Sequence, residues 1–424
     1  MKNIKLGLLG LGTVGSGVLQ MVQQNADKIL DVTGCELTIK TALVRNPAKY
    51  SQYANETSLT TNFDEILNDD EIKIVVELMG GIHPAKEYIT TLLKNHKNVV
   101  TANKDLIASY GPELMTVAHE NHCDLMFEAS VAGGIPILRT IANSFTADKV
   151  TEVKGIVNGT TNYILTQMSQ QGWSYQQALA QAQQLGFAES NPTNDVTGKD
   201  AAYKMIILSQ FAFGTQLDIK DIAVEGIDQL SDADVRQAAA FGYVIKLLGI
   251  AKLVNNGVFV EVGPVLISRN HPLATINDEF NAVMVTAQAV GDTLFYGRGA
   301  GGLPTANSVL SDITTVTKNI VLGTNGNLFN NYQQPYIPAK LADIKYPYYL
   351  SLTLPDVPGQ MLKLTQMMTD VNASFREITQ TKDGQIAHIA IITHRMSKEQ
   401  LLALLTKVDN DQSINLSAAY KVME

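Results

Sequence analysis

The sequence predicts an α/β protein in three parts: a parallel, doubly wound half, an α+β part with a mixed sheet, and a C-terminal βαββαβ unit. Three observations carry this. Short apolar runs alternate with helical stretches from Lys5 to Ser144, the winding that builds a parallel sheet. From Val150 the runs lengthen and that regular alternation stops. From Tyr348 a strand, a helix, two strands around Lys382-Asp-Gly384, a helix and a strand follow in turn, the order of a ferredoxin-like unit.

Composition bounds the rest. A chain of 424 residues exceeds one compact core, so separate domains are expected at 1–135 (completed by about 300–320), 136–299 and 346–424, with 321–345 as linker. Hydrophobic residues make up 45% and charged ones 17%, the balance of a folded enzyme or binding protein. The formal net charge of -9 argues against a nucleic-acid binder. Met1 to Gly10 lacks the apolar core and cleavage site of a signal peptide, and Cys35 and Cys123 are the only cysteines, so a reducing cytoplasm is expected. The apolar run 238–254 is broken by Lys246 and Lys252 and reads as a buried or subunit-interface helix, not a membrane span.

Gly10-Leu-Gly12-Thr13-Val14-Gly15 ends the first strand and opens a helix over 16–24. Strand, glycine turn and helix in that order bind a dinucleotide, as in a Rossmann-type nucleotide domain. Gly10 permits the tight turn, Gly12 lets a pyrophosphate approach the backbone, and Gly15 lets helix and strand pack closely. A second strand, about 36–44, ends at Arg45-Asn-Pro-Ala-Lys49, with no acid for a free ribose 2′-hydroxyl. Arginine there suits a 2′-phosphate, so NADP(H) is preferred over NAD(H). Buried strands at 72–78, 99–101 and 125–127 put Gly80, Gly81, Asn103 and Lys104 at strand ends, where the nicotinamide lies. A second glycine turn, Glu128-Ala-Ser-Val131-Ala-Gly133-Gly-Ile135-Pro136, leaves this domain. His119, His122 and Cys123 cluster at a helix end without the spacing of a metal motif.

In the second part, Asn158-Gly159-Thr160-Thr161-Asn162 opens a helix after strand 152–157. Its N–H groups and hydroxyls suit a carboxylate, and equally describe an ordinary N-cap by Thr160 or Thr161. If a helix begins near Lys199, Asp200 and Lys204 share one face, with Glu189 and Asp195 approaching from the preceding loop. A carboxylate beside an ammonium tunes both groups and can hold a polar substrate while a proton moves; a surface ion pair has the same spacing. A third glycine turn, Gly297-Arg-Gly-Ala-Gly301-Gly-Leu-Pro-Thr-Ala-Asn307, precedes an apolar helix from about 308 and is placed to return over the cofactor. The Asn- and Gly-rich stretch 319–334 reads as a linker.

In their order and spacing, Gly10-Leu-Gly-Thr-Val-Gly-Ser-Gly17, Thr101-Ala-Asn-Lys104, Glu128-Ala-Ser-Val131, Asn158-Gly-Thr-Thr-Asn162, the 189–204 segment and Gly297-Arg-Gly-Ala-Gly-Gly302 resemble homoserine dehydrogenases over nearly the whole chain. The last unit resembles an ACT domain, a small amino-acid-sensing module. The resemblance implies NAD(P)-dependent interconversion of L-aspartate 4-semialdehyde and L-homoserine, in threonine, methionine and isoleucine biosynthesis. It implies a homodimer or homotetramer assembled through the second part. Lys204 is then the proton donor, Lys104 assists, Asp200 positions Lys204, and Glu189, Asp195, Gly159 and Thr160 meet the substrate. The cofactor falls to Gly10, Gly12, Thr13, Val14, Gly15, Arg45, Lys49, Gly80, Asn103, Lys104 and Gly301. A sodium ion at Glu128, Val131, Gly133 and Ile135, and threonine as effector of the C-terminal domain, are implied as well. Two positions depart from the family pattern: Asn191 stands in place of a carboxylate, and Phe187 in place of a common tyrosine. Two rivals remain: a two-domain dehydrogenase of another small aldehyde or hydroxy acid, and a cofactor-binding amino-acid sensor without turnover.

Overall fold

The computed structural model describes residues 2–424. In chain order it begins β1 (Lys2–Leu9), α1 (Thr13–Gln24), α2 (Ala26–Thr33), β2 (Cys35–Leu43), β3 (Ser58–Thr60), α3 (Asp64–Leu67), β4 (Ile72–Glu77), α4 (Ala85–Lys94), β5 (Asn98–Thr101), α5 (Lys104–Glu120), β6 (Leu125–Met126) and α6 (Ile137–Ser144). Next come β7 (Val150–Ile156), α7 (Gly159–Gln171), α8 (Tyr175–Gln184), α9 (Thr193–Val196), α10 (Lys199–Phe213), β8 (Ala223–Val224), α11 (Asp232–Ala240), β9 (Tyr243–Val254), β10 (Gly257–Ser268), β11 (Phe280–Ala287), β12 (Gly291–Arg298) and α12 (Gly302–Leu322). β13 (Lys345–Tyr346), β14 (Tyr348–Pro355), α13 (Gln360–Asp370), β15 (Phe375–Asp383), β16 (Ile386–Thr393), β17 (Met396–Ser397), α14 (Lys398–Asp409) and β18 (Asn415–Met423) close the chain. These elements form two compact units, the first from Met1–Thr151, Tyr203–Ile219 and Val283–Pro335, the second from Glu152–Ala202, Lys220–Ala282 and Tyr336–Glu424.

The first unit is built on a sheet in the order β3-β2-β1-β4-β5-β6, and every pairing in it is parallel. This is a Rossmann sheet, whose ligand crevice opens where the order reverses, between β1 and β4. Helices cover both faces of such a sheet, so its central strands read as unbroken apolar runs. On one face Leu6, Leu8, Ile74, Val76 and Val100 pack with Val18, Leu19 and Val22 of α1 and with Val309, Ile313 and Val316 of α12. The two helices meet backbone to backbone. A Cβ added at Gly17 would lie 3.0 Å from the Gly302 carbonyl oxygen and 3.1 Å from the Ala306 Cβ. α12 starts at Gly302, earlier than position 308, and runs past Asn319 to Leu322. The stretch after it is fastened to buried Asp124, which accepts from Asn319 Nδ2 at 2.8 Å, Asn325 Nδ2 at 3.0 Å and the Gly326 N–H at 2.9 Å.

The second unit carries a mixed sheet with the strand path β7-β9-β10-β18-β14-β16-β15, and β8 lies beside β10. The run 238–254, expected as a helix, is instead the end of α11 followed by β9, which pairs antiparallel with β10 along its whole length. Gly242 at φ +87° separates the two elements. A strand buried on both faces has no period of two, so its apolar run cannot be told from a buried helix by pattern alone. Its β-branched content (Val244, Ile245, Ile250, Val254) and the Asn255-Asn256 turn before β10, with Asn255 at φ 53°, were the better guides. At the C-terminus β18, β14, β16 and β15 are antiparallel neighbours, the 4-1-3-2 order of a ferredoxin-like sheet. Leu350, Leu352, Ile389 and Ile391 pack there with Leu364 and Met368 of α13 and Leu401 and Leu404 of α14. β18 also pairs in parallel with β10, Val265↔Lys421 to Ile267↔Met423, so one sheet runs through both parts of this unit. Among the described residues no helix is long and apolar enough to cross a membrane.

The α1–α12 contact is testable. Gly17→Val should lower unfolding stability by about 1–3 kcal/mol through overpacking. Gly12→Ala, where an added Cβ meets nothing within 4 Å, is the control and should leave the urea midpoint unchanged. Equal midpoints for the two variants would remove the argument for close helix contact.

Candidate active site

The nucleotide turn sits at the sheet's switch point. Gly10 adopts φ +99°, where a Cβ would lie 2.9 Å from the Leu78 carbonyl oxygen, and its N–H donates to Leu43 O at 3.0 Å. The ends of β1, β2 and β4 are thereby drawn together. Gly12 precedes α1 with no side-chain cap, and the space beside it is open. The N–H groups that start the helix at Thr13 and Val14 are thus offered to an anion. A Cβ at Gly15 would lie 2.3 Å from Gly10 O, so this turn closes only around a glycine. Arg45 and Lys49 are exposed just beyond β2, in a bend fixed by Ala48 N–H donating to Asn46 Oδ1 at 3.1 Å.

A buried carboxylate organises the neighbouring strand ends. Glu77, fully buried at the end of β4, accepts from the Met79 and Gly80 N–H groups at 2.7 and 3.3 Å and from Thr101 Oγ1 at 2.7 Å. Asn103 donates to Gly81 O at 2.6 Å and caps α5 by accepting from Leu106 N–H at 3.2 Å. Lys104 is the first residue of that helix. Glu77 was not among the expected site residues, although an acid closing an apolar strand is a signal in itself.

The second and third glycine turns lie against each other. A Cβ at Gly133, φ +37°, would be 2.4 Å from Gly299 O. Gly134 N–H donates to Arg298 O at 3.0 Å and Ser308 Oγ to Gly133 O at 2.6 Å, and Gly301 ends the turn as N-cap of α12. Buried Glu128 accepts from the Leu138 and Arg139 N–H groups at 2.9 and 2.7 Å. Arg139 is ion-paired with fully buried Asp312. Burial raises the Glu128 carboxyl and pushes Asp312 up to about 7. Val131 and Ile135 are buried in the same turn. His119 contacts Gly326 O at 2.8 Å, burial pushes the Cys123 thiol up to about 12, and no metal-binding group of three or more His, Cys, Asp or Glu exists among the described residues.

In the second unit Asn158 ties two of the expected acids together. Its Nδ2 donates to Asp195 Oδ1 at 2.7 Å and to Asp200 Oδ2 at 2.8 Å, while its Oδ1 accepts from Thr161 N–H at 2.9 Å. Asn158 is therefore the N-cap of α7, not Thr160 or Thr161, and Thr160 Oγ1 donates to Phe187 O. Gly159 lies where a Cβ would be 2.6 Å from Glu279 O. α10 begins at Lys199, so Asp200 and Lys204 lie one helical turn apart, Asp200 buried and Lys204 half-buried. Glu189 is exposed on the preceding turn, its carbonyl accepting from Gln183 Nε2 at 3.1 Å. Asn191 is used locally, accepting from Thr193 N–H and Oγ1 at 3.3 and 2.6 Å.

The family model described as "Homoserine dehydrogenase, NAD binding domain" matches residues 10–128, and that described as "Homoserine dehydrogenase" matches residues 136–314. The chain belongs to the homoserine dehydrogenase family. The homoserine dehydrogenase of Lactococcus lactis is 46% identical over 99% of each chain, and that of Bacillus subtilis 42% identical over 100% of this chain and 99% of its own. A homoserine dehydrogenase structure from Thiobacillus denitrificans is similar at TM-score 0.95 and 37% identity, covering 100% of this chain and 99% of that one. A hyperthermophilic archaeal homoserine dehydrogenase in complex with NADPH matches at TM-score 0.63 and 25% identity, over 74% of this chain and 98% of its own.

The Asn158 bridge gives a prediction within this homoserine dehydrogenase fold. Asn158→Asp keeps the cap on Thr161 but sets a third carboxylate against Asp195 and Asp200, which raises its pKa. A group whose folded pKa is raised is favourable only while protonated, so stability is lost as pH rises and returns as it falls. The variant should be about 1–3 kcal/mol less stable at neutral pH, recovering on acidification, whereas Asn158→Ala should show no such recovery. Thermal unfolding across about pH 5–8 separates them; parallel profiles would rule the bridge out.

Proposed function

We propose that the protein reversibly reduces L-aspartate 4-semialdehyde to L-homoserine with a nicotinamide cofactor, a step shared by threonine, methionine and isoleucine biosynthesis. The full-length relation to homoserine dehydrogenases carries the reading. The open backbone beside Gly12 at the sheet's switch point fits a pyrophosphate. A bound reduced nicotinamide supplies the hydride. The chain's own residues bind, orient and move a proton. Lys204 gives a proton to the aldehyde oxygen as negative charge develops there, Lys104 helps orient that oxygen, and Asp200, held by Asn158, positions Lys204. Glu189 and Asp195 hold the substrate ammonium, with Gly159 and Thr160 beside it. Arg45 and Lys49 favour NADP(H), being exposed cations at the end of β2 with no acid among them.

Three finer assignments accompany this. A structural sodium ion is assigned to the turn holding Glu128, Val131, Gly133 and Ile135. The Glu128 carboxylate already caps α6, so it would add charge while carbonyl oxygens supply the donors a hard cation takes. The C-terminal unit is assigned as an ACT module responding to threonine, supported by its 4-1-3-2 strand order. The working assembly is a homodimer or homotetramer.

Purified protein should oxidise NADPH when given aspartate semialdehyde, and Lys204→Ala should lower kcat by about 10²–10⁴-fold. No oxidation by the wild type would leave a dehydrogenase of another small substrate or a sensor without turnover, and an unchanged kcat in the variant would remove Lys204 as the proton donor. Arg45→Ala should raise the KM for NADPH by about tenfold, equivalent to about 1.4 kcal/mol, with little change for NADH; equal shifts would end the NADP preference. Threonine added to the full chain should lower activity or raise Tm, and indifference to it would leave the C-terminal unit structural.

A further inference from the structure

Glu77 carries a cost that the fold alone does not explain. It is fully buried at the end of β4, and its three donors, the Met79 and Gly80 N–H groups and the Thr101 hydroxyl, are all neutral. A buried carboxylate without a cation is expensive, and an uncharged acceptor would meet the same donors at lower cost. What the charge adds is strength, since hydrogen bonds to a carboxylate are roughly twice as strong as neutral ones. The turn that follows needs it. Gly80 and Gly81 both lie at φ +74°, and apart from chain neighbours nothing lies within 4 Å of a Cβ added at either one. Glycines lose the most backbone freedom on folding, so hydrogen bonds at the two ends of the turn, not packing, impose its shape. Glu77 takes the N–H groups at one end, and Asn103 Nδ2 donates to Gly81 O at 2.6 Å at the other. Met79 N lies 3.4 Å from a Cβ added at Gly10, so this turn abuts the nucleotide turn after β1.

The second oxygen of Glu77 acts on a different element. Glu77 and Thr101 stand opposite each other in the parallel β4–β5 pair. Thr101 Oγ1 donates to Glu77 Oε2 at 2.7 Å and accepts from Asn103 N–H at 3.0 Å. Because the hydroxyl's one proton goes to the carboxylate, a lone pair is left facing Asn103. Asn103 caps α5 by accepting from Leu106 N–H, and Lys104 is the first residue of that helix. One side chain therefore governs both the turn 79–81 and the start of α5.

We propose that Glu77 is the positioning residue for the nicotinamide end of the site, one oxygen fixing the turn 79–81 for the nicotinamide half of the cofactor and the other fixing, through Thr101 and Asn103, the helix start that carries Lys104. The first arm rests on reading the crevice as a dinucleotide site, and the second also rests on Lys104 acting in the reaction. Misplacing a reacting group by about 1 Å can cost about 100-fold in rate, so contacts one residue removed from the chemistry decide it.

Four variants of the full chain separate the arms. Glu77→Gln keeps one oxygen, which the two N–H groups claim, and turns its N–H groups toward Thr101, so it spares the turn and breaks the relay. Thr101→Val breaks the relay from the other side, Thr101→Ser preserves it, and Glu77→Ala breaks both arms. Calorimetric titration with NADPH, and with 2′-phospho-ADP-ribose, which lacks the nicotinamide, reads the first arm without turnover. Glu77→Ala should bind NADPH about tenfold more weakly and 2′-phospho-ADP-ribose as the wild type does. Glu77→Gln and Thr101→Val should keep the wild-type affinity for NADPH and lower kcat about tenfold or more, and Thr101→Ser should keep the wild-type kcat. A merely structural Glu77 would lower Tm and leave kcat and both affinities of the folded variants unchanged, which would overturn the proposal. So would no NADPH binding by the wild type, or equal losses for the two ligands in Glu77→Ala. Should Glu77→Ala not fold, the kcat of the other three decides. Wild-type binding of NADPH without its oxidation by aspartate semialdehyde would end the reading of the reaction, and the two-ligand comparison would still decide the first arm.

Discussion

The first unit depends on a backbone-to-backbone approach between segments far apart in sequence. α12, close to the end of that unit's chain, must come within contact of α1 and of the turn after β6. It can do so only because Gly17 faces Gly302 and Gly133 faces Gly299 with no Cβ between them. That approach completes the hydrophobic cover of the sheet and sets the third glycine turn beside the second. A charged contact accompanies it. Arg139 of α6 pairs with Asp312 of α12 and lies 3.9 Å from Glu128, and Glu128 N–H donates to Asp312 Oδ2 at 2.8 Å. Burying two carboxylates around one guanidinium is tolerable only while the guanidinium stays. The same three residues therefore hold α6, the turn and α12 in register.

The second unit uses amides for the same purpose. The motif Asn158-Gly-Thr-Thr-Asn162 carries an asparagine at each end, and both ends of each amide are engaged. Asn158 caps its helix with its oxygen and gathers Asp195 and Asp200 with its nitrogen. Asn162 donates to the carbonyls of Ile276, Asp278 and Phe280 and accepts from Lys246 Nζ at 3.0 Å. Lys246 is a buried cation whose ammonium burial lowers to about 8, and its hydrogen bonds go to Asn162, Ile276 O and Asn277. A run that reads in the sequence equally as a carboxylate-binding turn or an ordinary N-cap is thus also what fixes the loop 276–280 against it. An aspartate at either end could not do both jobs, because a carboxylate accepts but does not donate.

The parts that were legible in the sequence are those whose causes are local. The glycine turn after β1 and the parallel strands of the first half follow from order and composition over a few residues. The βαββαβ pattern was legible for the same reason. β9 reads as a helix because a strand buried on both faces loses the alternation that distinguishes it, and its two lysines, Lys246 and Lys252, argue only against a membrane span. Asn158 is not legible as a site organiser because its value lies in partners that the chain brings together only on folding, whereas Glu77 is marked in the sequence as an acid closing an apolar strand. The pairing of β18 with β10 had no sequence signal at all. Parallel register between distant strands depends on backbone hydrogen bonds, which do not discriminate among side chains.

That pairing changes what the C-terminal unit is. β18 has β14 on one edge and β10 on the other, and the far edge of β10 carries β9 with Lys246. From the C-terminal strand to the Asn162 turn the path is therefore one sheet: Lys421 on β18, Glu261 on β10, Lys246 on β9, then the loop 276–280 and α7. Contiguity is the physical precondition for coupling and not coupling itself, which needs an element with two arrangements. The weakest joint on this path is the β10–β18 ladder, where the register Val265↔Lys421 to Ile267↔Met423 is short beside the full-length β9–β10 hairpin. Lys421 stands at the start of that ladder and is also ion-paired with Glu261. That ammonium therefore stands on the joint of this path that is held by the fewest backbone bonds.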